Sequence, residues 1–90
     1  MKLGQVVGAV VATRKSPNLA GFKLLAVRGV DPRGKPEKDY VIALDAVGAG
    51  AGEIVLTVTG SSAREDAKTK KAATDTTIIA IVDRVTLGPA

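Results

Sequence analysis

The sequence predicts an all-β domain with one short helix, folded as a small barrel or sandwich. Five short segments rich in Val, Ile and Leu are separated by turns rich in Gly, Pro or charged residues. The chain has 90 residues, without a composition shift that would mark a linker, so we expect one domain over residues 1–90. Aromatic residues are only 2% of the chain, so aliphatic side chains must form the core.

Each predicted strand is a run of β-branched or aliphatic residues bounded by turn formers. The five runs are Leu3–Thr13, Lys23–Val30, Tyr40–Leu44, Ile54–Thr59 and Thr77–Leu87. After the second run, Asp31-Pro32-Arg33-Gly34 has Pro and Gly where a type I turn favours them. We expect the polar residues from this turn to Asp39 to reverse the chain.

The single helix is predicted after the fourth strand. Ser62-Ala63-Arg64-Glu65 fits the capping box, in which the Ser hydroxyl and the Glu carboxylate satisfy free N–H groups at a helix start. Acidic residues in the first turn and lysines up to Lys71 complement the helix dipole. The apolar face of this helix consists of alanines alone, so neighbouring elements must stabilise it.

Several predicted strands lack the alternation of apolar and polar residues that a water-facing barrel should show. Val6-Val7, Val10-Val11 and Ile78–Val82 are examples. Burying one further Val, Leu or Ile stabilises by about 1.5–3 kcal/mol. Outward-facing residues of this kind therefore favour self-association, the alternative being a monomer whose strand ends lie under loops.

Composition excludes most familiar catalytic chemistry. The chain has no Cys and no His, which removes disulfides, thiolate metal sites, a cysteine nucleophile and the commonest general base. The carboxylates Asp45, Glu53, Asp75 and Asp83 have no spacing typical of paired catalytic acids or a calcium loop, so we interpret them as solvated or ion-paired. We expect no enzyme activity, cofactor, metal or catalytic residue.

No segment is expected to cross a membrane. The longest apolar run, Val6–Ala12, is well below the ~20 residues of a helical span. The first residues lack a clear signal-peptide pattern, so a cytoplasmic location is expected.

The segment Gly48-Ala49-Gly50-Ala51-Gly52 invites comparison with phosphate-binding loops. Glu53 stands where a dinucleotide fingerprint needs its third Gly, and a predicted strand follows where a helix should begin. We therefore interpret the segment as a bend at which another backbone comes close, in this chain or in another subunit.

The net charge of +4 is compatible with one alternative function, the binding of single-stranded nucleic acid by the barrel. Such proteins stack bases on aromatic side chains, at about 1–3 kcal/mol per base. Phe22 and Tyr40 are the only aromatic residues, so the chain is poorly equipped for that mechanism.

Three segments carry a family resemblance: Leu3-Gly4-Gln5-Val6-Val7-Gly8, the glycine-rich loop ending at Glu53, and Gly60-Ser61-Ser62-Ala63-Arg64. In this order they resemble the bacterial microcompartment vertex proteins, the pentameric shell family of carboxysomes and of ethanolamine- and propanediol-type metabolosomes. Relatives often carry Pro where this chain has Ala73-Thr74, and Gly where it has Ala80. These departures concern the local backbone near the last strand.

The resemblance implies a five-stranded barrel similar to an oligonucleotide/oligosaccharide-binding (OB) fold, assembling as a pentameric ring. The ring would cap a shell vertex in the cytoplasm, with copies of itself and hexameric or pseudohexameric shell proteins as partners and no nucleic acid. Two short segments are expected at the subunit interface or central axis: Gly48, Ala49, Gly50, Ala51, Gly52, Glu53, Ser61, Ser62, Ala63 and Arg64. Arg64 either faces the central opening or pairs with Glu53 or Asp66.

Overall fold

In the computed structural model, residues 1–13, 17, 21–60 and 76–88 are described, and they form a closed five-stranded barrel. The strands are β1 (Lys2–Val10), β2 (Lys23–Val30), β3 (Pro36–Asp45), β4 (Ile54–Thr59) and β5 (Thr76–Ile81). Their order around the barrel is β1-β2-β3-β5-β4. Neighbours pair antiparallel except β3 and β5, which pair in parallel. The predicted barrel is confirmed, and the predicted helix beginning at Ser62 lies outside the described residues.

Among the described residues, no helix is long and apolar enough to cross a membrane.

The core of the barrel is aliphatic, as the composition requires. Alternate residues of each strand point inward, because successive side chains in a strand face opposite sides. The buried cluster consists of Val6, Leu25, Val27, Ala43, Ala49, Val55 and Ile78. Six of these residues come from the five strands, and Ala49 comes from the loop after β3. That loop therefore closes part of the core.

A glycine in β1 allows its neighbours to pack closely. Gly4 lies opposite Gly29 on one side and Val55 on the other. A Cβ atom added at Gly4 would overlap Val27 Cγ1 and lie 3.1 Å from the Arg28 carbonyl oxygen. This position therefore has no room for a side chain.

Two predicted strands, β2 and β4, have the bounds that the sequence predicts. The first prediction was too long, since β1 ends at Val10, opposite Leu24 near the start of β2. The fifth was also too long, because the last bond to β4 joins the Val82 N–H to the carbonyl of Ile54, where β4 begins.

The third strand was predicted too short. β3 begins at Pro36, not Tyr40, so the polar residues before Tyr40 form strand and do not reverse the chain. The β2–β3 pair continues outward to Val30 opposite Pro36. The Arg28 Nε–H donates to the Glu37 carbonyl at 2.7 Å and stabilises this extension.

The reversal occurs entirely within the turn that follows β2. The Gly34 N–H donates to the Asp31 carbonyl at 2.9 Å. Asp31 Oδ1 also accepts from the N–H groups of Arg33 and Lys35, both at 2.9 Å. Gly34 has φ 85°, which favours glycine. The predicted turn at Asp31–Gly34 is therefore confirmed.

Candidate functional site

The glycine-rich loop, residues 48–53, is bound to the middle of β1. The Val6 N–H donates to the Glu53 carbonyl at 2.9 Å, and the Gly52 N–H donates to the Val6 carbonyl at 2.8 Å. The Gln5 side-chain amide adds a bond to the Gly52 carbonyl at 3.1 Å. The close backbone expected at this loop is therefore, within the subunit, that of β1.

The loop also holds its own shape. The Gly50 N–H donates to Glu53 Oε1 at 2.6 Å, while the Glu53 N–H donates to the Gly50 carbonyl at 3.2 Å. Gly48 and Gly52 have φ 78° and 85°, in the region that side chains disfavour. Ala49 is completely buried beneath them. Because the strand β4 follows immediately, the loop lacks the helix that a phosphate-binding loop needs.

Asp45, the last residue of β3, lies shortly before this loop. Its side chain is 1% exposed, and its Oδ1 accepts from the N–H groups of Val47 and Gly48, both at 3.0 Å. Lys23 Nζ lies 3.9 Å from Asp45 Oδ2 and donates to the Ala49 carbonyl at 3.4 Å. An Asp carboxylate that accepts from the backbone N–H groups two and three residues later forms an Asx turn.

The interpretation of Asp45 as a solvated carboxylate was wrong, and the ion-pair alternative describes only part of its role. This carboxylate is buried because the loop folds over it. An Asp at a strand end, shortly before Gly48, is the sequence signal for such a turn. This signal predicts a structural role for the carboxylate and not a catalytic one.

An apolar surface covers the outside of β1, β2 and β3. The strand registers bring together residues whose side chains face away from the core. We call this surface the outer apolar patch: Val7, Val10, Leu24, Ala26 and Ile42. Val7 and Ile42 are about half exposed in the isolated subunit, at 46% and 50%. Next to the patch, the Arg28 guanidinium lies 5.2 Å from the Tyr40 ring centroid.

Of the predicted interface residues, the structure brings together the loop group. Gly48, Gly50, Ala51, Gly52 and Glu53 flank the buried Ala49 in the segment between β3 and β4, which is bonded to β1. The other group, Ser61, Ser62, Ala63 and Arg64, lies outside the described residues. The Glu53 carboxylate already accepts a hydrogen bond from Gly50.

Within the described residues, no group of three or more carboxylates is placed to hold a metal ion. The arrangement of the loop offers packing and backbone hydrogen bonds, and its one carboxylate, Glu53, accepts from the Gly50 N–H. The exposed residues of the loop, Gly48, Ala51 and Gly52, present a surface with almost no side chains.

A family described as "Ethanolamine utilisation protein EutN/carboxysome" matches residues 1–83. The chain belongs to the EutN/CcmL family. The expected family resemblance is confirmed.

Several EutN/CcmL relatives align over almost the whole chain. The microcompartment shell vertex protein EutN of Escherichia coli is 46% identical over 88 residues, which cover 98% of this chain and 93% of the relative. The carboxysome shell vertex protein CcmL of Synechocystis is 44% identical over 85 residues, covering 94% of this chain and 85% of the relative.

Solved structures show the same barrel. The GrpN pentameric microcompartment shell protein of Rhodospirillum rubrum matches with a TM-score of 0.89 and 40% identity, over 98% of this chain and 100% of that chain. CcmL of Gloeobacter violaceus has a TM-score of 0.89 and 40% identity, over 97% and 90% of the two chains. The family consists of structural shell vertex proteins, so the chain is structural and not an enzyme.

Proposed function

We propose that this EutN/CcmL protein forms a homopentameric ring that caps the fivefold vertices of a polyhedral microcompartment shell. It acts in the cytoplasm as part of the shell, with hexameric and pseudohexameric shell proteins as its neighbours. Its work is geometric. A flat layer of hexamers cannot close into a polyhedron, and a pentamer at each vertex supplies the missing curvature.

The outer apolar patch is the observation that carries this proposal. Val7, Val10 and Ile42 lie outside the buried core of the barrel. Contact of their apolar side chains with water is unfavourable, so burying them against another subunit would stabilise an assembly. A ring forms when one surface of each subunit meets a different surface of the next. The patch lies on the β1–β2–β3 side, and it is suited to one of those two surfaces.

The glycine-rich loop is suited to the part of the ring where five subunits converge. Ala51 has the largest side chain among its exposed residues, and Gly48 and Gly52 have none. The N–H groups of Gly48, Gly50, Gly52 and Glu53 already have acceptors within the subunit, so close packing would not leave these donors without a partner. We assign Gly48–Glu53 to a subunit contact or the central axis.

The same proposal assigns Ser61, Ser62, Ala63 and Arg64 to this region. Five symmetric copies of Arg64 facing an opening would favour small anions, whereas pairing of Arg64 with Glu53 or Asp66 would leave the opening merely polar. Glu53 has a second carboxylate oxygen beyond the one that accepts from Gly50, so it can still receive a guanidinium.

Mass measurement under native conditions tests the ring. Five copies of 9.2 kDa each give an assembly of about 46 kDa. We expect this species to dominate at micromolar concentration and to persist on modest dilution. A dominant 9.2-kDa species that stays folded would contradict the proposal.

Co-production with hexameric shell proteins tests the vertex role separately. We expect closed particles when this chain is present and open sheets or tubes when it is absent, as seen by electron microscopy. Equal numbers of closed particles in both cases would leave the ring without a vertex function.

A further inference from the structure

Strand β3 has an edge that the barrel does not use. It pairs with β2 from Pro36 to Asp45, but with β5 only at Leu44 and Asp45. In the parts of the chain that the structure describes, the other edge from Pro36 to Ala43 has no strand beside it. The barrel is closed, but only through a short contact at one end of β3.

The groups exposed on that edge follow from the strand geometry. A residue of an antiparallel strand points both its N–H and its C=O to the same side, and successive residues alternate. The Ala46 N–H points away from β2, because it donates to the Ile78 carbonyl of β5. The same alternation turns the N–H and C=O groups of Ile42 and Tyr40 toward the open edge, before the register shift that lies between Tyr40 and Pro36.

The side chains along this edge differ between the two faces of β3, one face being largely apolar and the other acidic. Tyr40 and Ile42 face outward, and they are 56% and 50% exposed. On the other face, Glu37 and Asp39 line a cavity of about 300 Å³ at the end of the barrel, together with Val41. An open edge with exposed apolar side chains favours pairing with a further strand.

The segment after β5 has backbone groups without a hydrogen-bond partner among the described residues. We call residues Arg84–Gly88 the β5 arm. No hydrogen bond links this arm to other described residues. Its apolar residues Val85 and Leu87, 39% and 52% exposed, alternate with Arg84 and Thr86, as is typical of a strand.

Within its own subunit the β5 arm lies away from the β3 edge. Leu87 and Gly88 line a cavity of about 320 Å³ beside Asp31, Pro32 and Arg33, in the turn that precedes β3. The arm therefore reaches the outer end of the β2–β3 pair without pairing with it.

We propose that the β5 arm of one copy pairs with the β3 edge, Tyr40–Ile42, of the next copy in the ring. This inference rests on the proposed function and identifies one of its contacts. Side chains two residues apart share a face, so Val85 and Leu87 pack on Tyr40 and Ile42. Arg84 and Thr86 then face the side of Glu37 and Asp39, where the Arg84 guanidinium meets carboxylates.

The partner is a second copy because one chain supplies both halves of the contact. The two surfaces differ, so the contact is head-to-tail and leads from each subunit to the next, as a ring requires. It also lies beside the outer apolar patch, since Ile42 belongs to both. Each subunit gives one arm and receives one.

Cysteine cross-linking tests this contact directly, because the chain has no cysteine of its own. Four variants with one edge and one arm substitution combine Tyr40→Cys or Ile42→Cys with Val85→Cys or Leu87→Cys. A disulfide needs Cα atoms about 4.4–6.8 Å apart, so only a correctly aligned pair will oxidise efficiently. The control combines Ile42→Cys with Val11→Cys, because Val11 is 95% exposed and lies just after the end of β1.

We expect at least one edge–arm pair to give a ladder of covalent oligomers up to five on a denaturing gel, at least tenfold above the control. Co-refolding separate single-cysteine variants should give covalent dimers of unlike chains. A pentamer by native mass without any ladder would overturn this contact while leaving the ring intact. A disulfide confined to single chains would overturn it as well. Absence of the pentamer itself would contradict the proposed function, and with it this contact.

Discussion

Lys23 and Asp45 lie opposite each other at the end of the β2–β3 pair, and both reach into the glycine-rich loop. They contribute unequally. The Lys23 side chain is 65% exposed and 3.9 Å from the carboxylate, whereas the Asp45 side chain is 1% exposed and bonded to two N–H groups. The carboxylate therefore organises the loop, and the ammonium adds little.

Replacing Asp45 should destabilise the subunit. Asp45→Ala leaves two N–H groups without an acceptor, at a cost of about 1–3 kcal/mol. Thermal unfolding at one fixed protein concentration should show a lower midpoint, by about 4–8 °C per kcal/mol in a domain of this size. Lys23→Met is the matched control, and an exposed ion pair is worth about 1 kcal/mol or less. Equal midpoints for the two variants would contradict the structural role of Asp45.

Gly4 and Gly8 of β1 provide a test of close packing in the barrel. Gly4→Ala puts a Cβ atom into Val27, so we expect a loss of about 1–3 kcal/mol in the free energy of unfolding. Gly8→Ala is the control, because its Cβ would meet only Ala26 Cβ, at an ordinary 3.9 Å. Denaturant titration of both variants measures the difference, and similar losses would show that β1 is not tightly packed at Gly4.

Alanine substitutions at Gly50 and Gly52 test how much backbone strain affects the stability of the subunit. Gly52→Ala forces a side chain into a φ of 85° and should lower subunit stability by about 1–2 kcal/mol. Gly50 has no positive φ, and a Cβ there would lie 3.4 Å from Glu53 Oε1, so Gly50→Ala should be milder. Unfolding curves compare the two, and a larger loss for Gly50→Ala would contradict the strain argument.

Gly50→Leu addresses the ring itself. If the loop lies where subunits converge, the larger side chain should cost about 1–3 kcal/mol per copy by overpacking. Light scattering should show partial or complete loss of the pentamer, with Gly50→Ala as the control that keeps it. An intact ring in Gly50→Leu would place the loop away from the subunit contacts.

Ile42→Asp tests the outer apolar patch. Ile42 is half exposed in the subunit, so an aspartate there should leave the barrel folded while placing a charge in the buried contact. We expect the native mass to shift from the pentamer toward the monomer, with circular dichroism unchanged. Val11→Asp adds the same charge at a 95% exposed position, and we expect it to keep the ring. A stable pentamer in Ile42→Asp would exclude the patch from the interface.

The sequence predicted β2 and β4 correctly because their β-branched runs are bounded by clear turn signals. It missed the first part of β3 because Glu37, Lys38 and Asp39 are typical of loops. They form strand since β2 continues opposite them, and pairing with a neighbour overrides local preference. Val85 and Leu87 caused the opposite error, because they have strand character but no partner strand among the residues of the subunit that the structure describes.

The candidate interface, too, could be predicted only in part from the sequence. The glycine-rich loop was identifiable from composition and from the family resemblance, but the anchoring by Asp45 and by Val6 was not. Both contacts join residues far apart in the chain, and no local pattern encodes them. Arg64 and its neighbours remain a prediction.

The amino-acid order alone determined the all-β class, the aliphatic core, the tendency to associate and the family, because these depend on residue types and short spacings. The closed strand order, the burial of Asp45 and the open edge of β3 were decided only by the tertiary structure. The physical reason is that pairing and burial depend on which distant segments come together in space.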